Sequence, residues 1–188
     1  HRSSAFSLCS DQIDGDIDIA ARGAGIRTDL LRGVHQALSD LALETGHADL
    51  ETDGDPRELL DLLHGALRST RGAAVAIASL DSEAGRLDYA GIGNIAGAIV
   101  DGELSRSLVS HNGIVGHQLH RIQQFRYPWP HSGVLVMNSD GIVTNWRLNQ
   151  YPGLLAKPPA LISAVLYRDF NRHRDDVSVL VVKEQRNA

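Results

Sequence analysis

An α+β fold is predicted by three features of this 188-residue sequence. Helical periodicity is confined to two early stretches and one late one. Between them lie short apolar runs rich in β-branched residues, punctuated by Gly or Asp turns. Strands and helices do not alternate strictly, which argues for helices on the faces of antiparallel sheets and against a doubly wound parallel sheet. The length suits a single domain over residues 1–188, with enough chain to bury a core.

The elements follow in order. QIDGDIDIAA carries Asp14-Gly15, a hairpin signal because both central residues need positive φ. In that register Ile13 pairs with Asp16, Asp11 with Asp18 and Ser7 with Arg22. GIRTDLLRGVHQALSDLALETG places Ile26, Leu30, Leu31, Val34, Leu38 and Leu41 on one helical face, with Gly46 able to end it. ETDGDPRELLDLLHGALRS opens a second helix with Asp55 as N-cap, Pro56 at the first helical position and Glu58 in the first turn. GAAVAIASLD, RLDYAGIG, AGAIVDG and SRSLVS read as strands joined by turns, and RIQQFRYPW as a strand closed by Pro128 and Pro130. GVLVMNSDG is continuously apolar, hence a buried strand, and ends in a polar turn. PPALISAVLYRDF reads as a helix and VSVLVV as the last buried strand.

Composition narrows the function classes. A formal net charge of −5 argues against an electrostatic nucleic-acid binder. No apolar run approaches the roughly 20 residues that span a bilayer. Cys9 is the single cysteine, so no intrachain disulfide forms, and a reducing cytoplasm fits. The opening HRSSAF carries no apolar leader run. Nine histidines are scattered without H-x-x-x-H or H-E-x-x-H spacing, which leaves them to surface or packing roles.

The carboxylates carry more. GVLVMNSDG ends at Asp140-Gly141, and Asp175-Asp176 open VSVLVV. Buried strands are often central neighbours in a sheet. If these two are antiparallel, the end of one lies beside the start of the other, and Asp140 and Asp175 meet at one rim. Apposed carboxylates repel, and one protonates unless a cation lies between them. Oxygen-only ligation suits Mg²⁺ or Mn²⁺. The competing reading gives each aspartate to its own turn, a common use of the residue.

RGAAVAIASLD, LDYAGIGNIAGAIV, SHNGIVGHQL, YPWPHSGVLVMNSDGI and RHRDDVSVLVV occur in an order that resembles the PPM (type-2C-like) metal-dependent protein phosphatases, in the compact bacterial branch with SpoIIE and RsbX. The resemblance implies a four-layer α-β-β-α sandwich of two mainly antiparallel sheets flanked by helices. It implies hydrolysis of phosphoserine or phosphothreonine at a two-metal site holding Mn²⁺ or Mg²⁺. In that scheme Asp140 and Asp175 are metal ligands, with Asp176 a further candidate. No side chain is implied as nucleophile; a metal-activated water attacks in line, and Cys9 has no part in it. The resemblance further implies a bacterial stress-response or sigma-factor switch in the cytoplasm, acting on a phosphorylated stressosome or STAS-domain protein.

The family's other metal aspartates lie near the N-terminus, and there the chain departs from the pattern. Gly23 and Gly25 fit the glycines of an Asp-Gly-x-Gly turn, but Arg22 stands in the aspartate's place. A guanidinium has only donors and cannot ligate a cation. CSD puts Asp11 in the role of the early-strand aspartate, whereas the hairpin register sets Ser7, not Asp11, opposite Arg22. Two readings stay open. One completes a metal site through Asp11, Asp16 or Asp18. The other is a pseudophosphatase, a binding module in which Arg22 replaces a cation's charge beside Asp140 and Asp175.

Asn94 in GIGNIAG either orients a ligand water or a ligand carboxylate, or serves as a turn residue in left-handed φ. G-x-G here lacks the third glycine and the following helix of a dinucleotide site. His111, His117 and His120 are expected on the surface, and Arg68 and Arg71 in solvent. Trp129 either packs or forms part of a partner surface.

Overall fold

The structure is a computed structural model that describes residues 4–7, 17–24, 55–119, 121–173 and 177–184. In chain order the elements are β1 (Ser4–Ser7), β2 (Ile17–Ala24), α1 (Pro56–Ala66), β3 (Val75–Asp81), β4 (Arg86–Ile92), β5 (Ile95–Asp101), β6 (Leu104–Leu108), β7 (Ser110–His111), β8 (Phe125–Pro128), β9 (Val134–Ser139), α2 (Pro159–Phe170) and β10 (Val177–Glu184). They form two mainly antiparallel sheets flanked by helices. One sheet runs β1-β3-β4-β7, with β8 also on β4; the other runs β2-β10-β9-β5-β6. The chain divides into two compact units, one comprising His1–Cys9, Arg27–Ile95 and Val109–Trp129, the other Ser10–Ile26, Ala96–Leu108 and Pro130–Ala188.

In the first unit, α1 starts as its sequence requires. The Asp55 carboxylate accepts the Arg57 N–H at 2.8 Å, and Pro56 needs no N–H at the first turn. Leu60, Leu63 and Leu67 fall at helical spacing and pack on Val75, Ile77, Ala90 and Ile92 of β3 and β4. On the same strand Asp88 is only 8% exposed. It lies directly opposite Arg126 of β8, which holds it through Nε at 2.8 Å and Nη2 at 3.4 Å. Such a two-pronged pair satisfies an otherwise costly buried carboxylate.

In the second unit, α2 lies against β10 and β2. Its Ile162 and Leu166 are fully buried among Val134, Val136, Val177, Val179 and Val181. Each such side chain contributes about 1.5–3 kcal/mol by leaving water. Lys183 closes the far end of β10 by donating to the carbonyls of Leu155 at 2.9 Å and Lys157 at 3.2 Å.

Three expectations change. The hairpin pairing of Ser7 with Arg22 is not formed: Ser7 lies opposite Ile77 and Arg22 opposite Val179, in different sheets. An isolated two-stranded hairpin is marginal in water, and each strand gains more by extending a larger sheet. Asp14-Gly15 and the helix expected at residues 26–46 lie outside the described residues. SRSLVS is not one strand but two, broken at Val109, with β6 pairing β5 and β7 pairing β4. RIQQFRYPW is a strand only over Phe125–Pro128.

Candidate metal-binding rim

β9 and β10 are antiparallel neighbours, as the rim reading requires. Val134 lies opposite Lys183 at one end of the ladder and Asn138 opposite Val179 at the other. Beyond that last pair, the Ser139 hydroxyl accepts the Ser178 N–H at 3.0 Å. Asn138 is 1% exposed; its amide accepts from Trp146 Nε1 at 3.2 Å and donates to the Ser139 carbonyl at 2.9 Å. A buried amide satisfied on both sides fixes where the strand stops.

Asp140 follows immediately, with its side chain exposed. Its turn is closed by Ile142 N–H to Ser139 O at 3.2 Å. The same turn is stitched to the end of α2: Val143 N–H donates to Phe170 O at 2.9 Å, Arg172 N–H to Gly141 O at 2.8 Å, and Ile142 bridges Asn171. The chain approaching Asp175 and the chain carrying Asp140 are therefore bound together from two directions. Asp175 and Asp176 themselves, like Asp11, Asp16 and Gly25, lie outside the described residues.

β2 completes this edge. Ala24 lies opposite Val177, Gly23 opposite Ser178 and Arg22 opposite Val179. Arg22, Val179 and Asn138 thus occupy one line across three strands. Gly23 is inside β2, so the turn expected around Gly23 and Gly25 does not include it. Asp18, one of the alternative ligands, is opposite Lys183. Six residues of extended strand put its backbone about 20 Å from the rim, which removes it from the candidates. Among the described residues there is no group of three or more His, Cys, Asp or Glu able to hold a metal.

The other residues singled out lie in the first unit. Asn94 is exposed in the bend between β4 and β5 and does not take left-handed φ. Gly93 does, at +93°, and an added Cβ there would sit 2.7 Å from that of Ala74. His111 is not a surface residue. It is half-buried and stacked on Phe125 with centroids 5.7 Å apart, and its Nε2 is buried without a partner among the described residues. His117 is exposed and lies 2.7 Å from the Thr70 carbonyl through Nε2; Arg68 and Arg71 are exposed; His120 lies outside the described residues. Trp129 is 5% exposed and packs. Tyr89, buried and bonded to the Ser110 hydroxyl at 2.8 Å, has its phenol pushed up to about 12 by burial. Ser139, Asn138 and the Asp88–Arg126 pair escape motif reading. Their only signal is a polar residue interrupting an apolar strand.

Comparison with known proteins gives a consistent result. The sequence model of stage II sporulation protein E (SpoIIE) matches residues 23–185. No curated protein sequence matches the chain. Among solved structures, a chain connected with the bacterial stressosome, a modular system adapted to control secondary messenger signalling, superposes with a TM-score of 0.70 at 20% identity, covering 97% of this chain and 98% of that one. RsbX in complex with magnesium gives 0.60 at 16%, covering 97% and 87%. The Mycobacterium tuberculosis serine/threonine phosphatase PstP gives 0.64 at 15%, covering 98% and 99%. At these identities the likeness is one of fold.

Proposed function

This chain belongs to the stage II sporulation protein E family of PPM-type phosphatases, and from that membership we propose that it is a metal-dependent phosphoserine/phosphothreonine protein phosphatase. Its setting is a cytoplasmic bacterial stress-response or sigma-factor switch, and its partner a phosphorylated stressosome or STAS-domain protein. The whole chain acts as one phosphatase domain, since both compact units draw on segments interleaved along the sequence. No helix among the described residues is long and apolar enough to cross a membrane.

The observation that carries this reading is the closure of the β9–β10 edge by Ser139, with the Asp140 turn bonded to the end of α2. A residue two positions before Val177 lies within about 7 Å of it by chain length alone. Asp140 and Asp175 are the residues that would hold Mn²⁺ or Mg²⁺, with Asp176 and Asp11 as further candidates. Their oxygen-only chemistry suits a hard cation. When bound, such ions neutralise phosphate oxygens and ease the deprotonation of water. The chain's own part is to position. Ser139 and Asn138 fix the end of β9, and the Ile142–Asn171 bridge ties the Asp140 turn to the end of α2. Asn94 remains a proposed support for a ligand water or carboxylate.

Phosphate release from a phosphoserine protein tests this directly. The enzyme reading expects turnover with Mn²⁺ that is abolished by a chelator and by Asp140→Asn. The Arg22 backbone position, one strand from Val179 and two from Asn138, favours a second reading, a pseudophosphatase that binds the phosphorylated partner without turnover. That reading expects binding without hydrolysis, and turnover gained by Arg22→Asp.

A further inference from the structure

The segment Asn112–Leu119, which follows β7, is docked on the C-terminal end of α1 and the 3-10 turn at Leu67–Ser69. Ala73 and Val115 exchange both backbone hydrogen bonds at 2.9 Å. Gly116, at φ +97°, comes so close that an added Cβ would lie 2.7 Å from the Leu67 carbonyl oxygen. Gly72, at φ +70°, leaves the same lack of room against the Val115 carbonyl, at 2.5 Å. Two histidines span this contact with opposite polarity. The Gly116 N–H donates to His64 Nδ1 at 3.0 Å, whereas His117 Nε2 donates to the Thr70 carbonyl at 2.7 Å.

We propose that His64 and Gly116 form a pH-sensitive latch that holds the Asn112–Leu119 segment on α1 while the imidazole is neutral and releases it on protonation. A backbone N–H can only donate, so Nδ1 must accept, and the ring proton must sit on Nε2. Protonation turns Nδ1 into a second donor aimed at the first, and the bond is lost. His117 already donates, so its bond survives the same change. The latch therefore opens at one end only, in the range where imidazoles change charge, about pH 5 to 8. On its own helix His64 has Asp61 one turn before it, and Arg68 follows in the 3-10 turn. His117 stands beside it in the docked segment, and Arg71 lies between Thr70 and Gly72. At its other end the segment continues from His111, whose carbonyl accepts the Gly93 N–H at 2.8 Å. Release thus loosens the chain next to the Gly93-Asn94 bend.

Amide hydrogen exchange of the intact protein at pH 7.5 and 5.5, normalised to intrinsic rates, tests the latch. In the wild type the Gly116 amide should lose about tenfold of its protection at the lower pH, the loss expected from one hydrogen bond. His64→Asn keeps an acceptor near the Nδ1 position and does not titrate, so its protection should not change. Equal pH dependence in the two proteins, or none in the wild type, overturns the proposal. Should His64→Asn not fold, the wild type decides alone. The Gly116 amide shift must follow the ring titration of His64, and a Gly116 signal indifferent to that titration overturns the latch.

Discussion

Replacing Ser139 with alanine removes the acceptor that ends the β9–β10 ladder. The Ser139 hydroxyl takes the Ser178 N–H at 3.0 Å, one position past the last ladder pair, Asn138 with Val179. Without it the part-buried Ser178 amide has no protein partner, at a cost of about 1–2 kcal/mol. For a chain of this length each kcal/mol moves the melting midpoint by about 2–4 °C, so a fall of about 2–8 °C is expected. Urea unfolding followed by tryptophan fluorescence suits the measurement, because Trp146 is bonded to Asn138 beside the site. The midpoint should fall with m unchanged. Phosphate release should fall as well, since β10 then starts less firmly just after Asp175. Ser139→Thr keeps the oxygen and should retain most of the stability. A wild-type midpoint in the alanine variant would mean that the hydroxyl does not close the ladder.

Three further outcomes follow from the packing and the titrating groups. Leu166→Ala empties a fully buried site between α2 and β10 and should cost about 2–5 kcal/mol in chemical denaturation. The Asp169 carboxyl is held down to about 2 by the Arg168 guanidinium and then by the Tyr151 hydroxyl. A depressed carboxylate stabilises the fold above its unfolded value near 3.9, and that contribution is lost as pH falls through about 2. The melting-point gap between wild type and Asp169→Asn should accordingly be present at pH 6 and close on acidification. Tyr89 has the opposite sign: burial penalises its phenolate, so stability is unaffected below about 10 and falls as pH rises through about 12. Tyr89→Phe should lose about 1 kcal/mol at neutral pH, the worth of its bond to Ser110, and show a flatter alkaline limb.

The contrast between what could and could not be read from the sequence has physical causes. α1 was legible to the residue because its start is written locally, in an Asp cap, a proline and a first-turn glutamate. β9 and β10 were legible because continuous apolar runs bounded by polar turns admit few alternatives; their antiparallel adjacency was only a condition of the rim reading, and the structure meets it. The N-terminal strands were misread because Asp14-Gly15 advertises a local hairpin, while β1 and β2 pair with distant strands in separate sheets. Pairing partners of edge strands are set by which sheet has an open side, and nothing local encodes that. SRSLVS likewise splits at Val109, where the chain leaves one sheet for the other. At the rim, the S-D-G turn was visible as a motif. The Ser139 and Asn138 bonds that set it were not, because a serine and an asparagine at a strand end are ordinary until their partners are known. The stacking of His111 on Phe125 is hidden in the sequence by the polar residues around it.

Titration of Mn²⁺, followed by the paramagnetic resonance of the free ion, across the wild type, Asp140→Asn, Asp175→Asn and the double variant, tests most directly whether residues 140 and 175 share one ion. A shared ligand set predicts that either single change weakens binding by more than the roughly 10–100-fold typical of outer-shell partners. The double variant should then be little worse than either single one, since ligands of one ion act as a unit. Wild-type affinity in either single variant, or losses that simply add, would contradict a common rim.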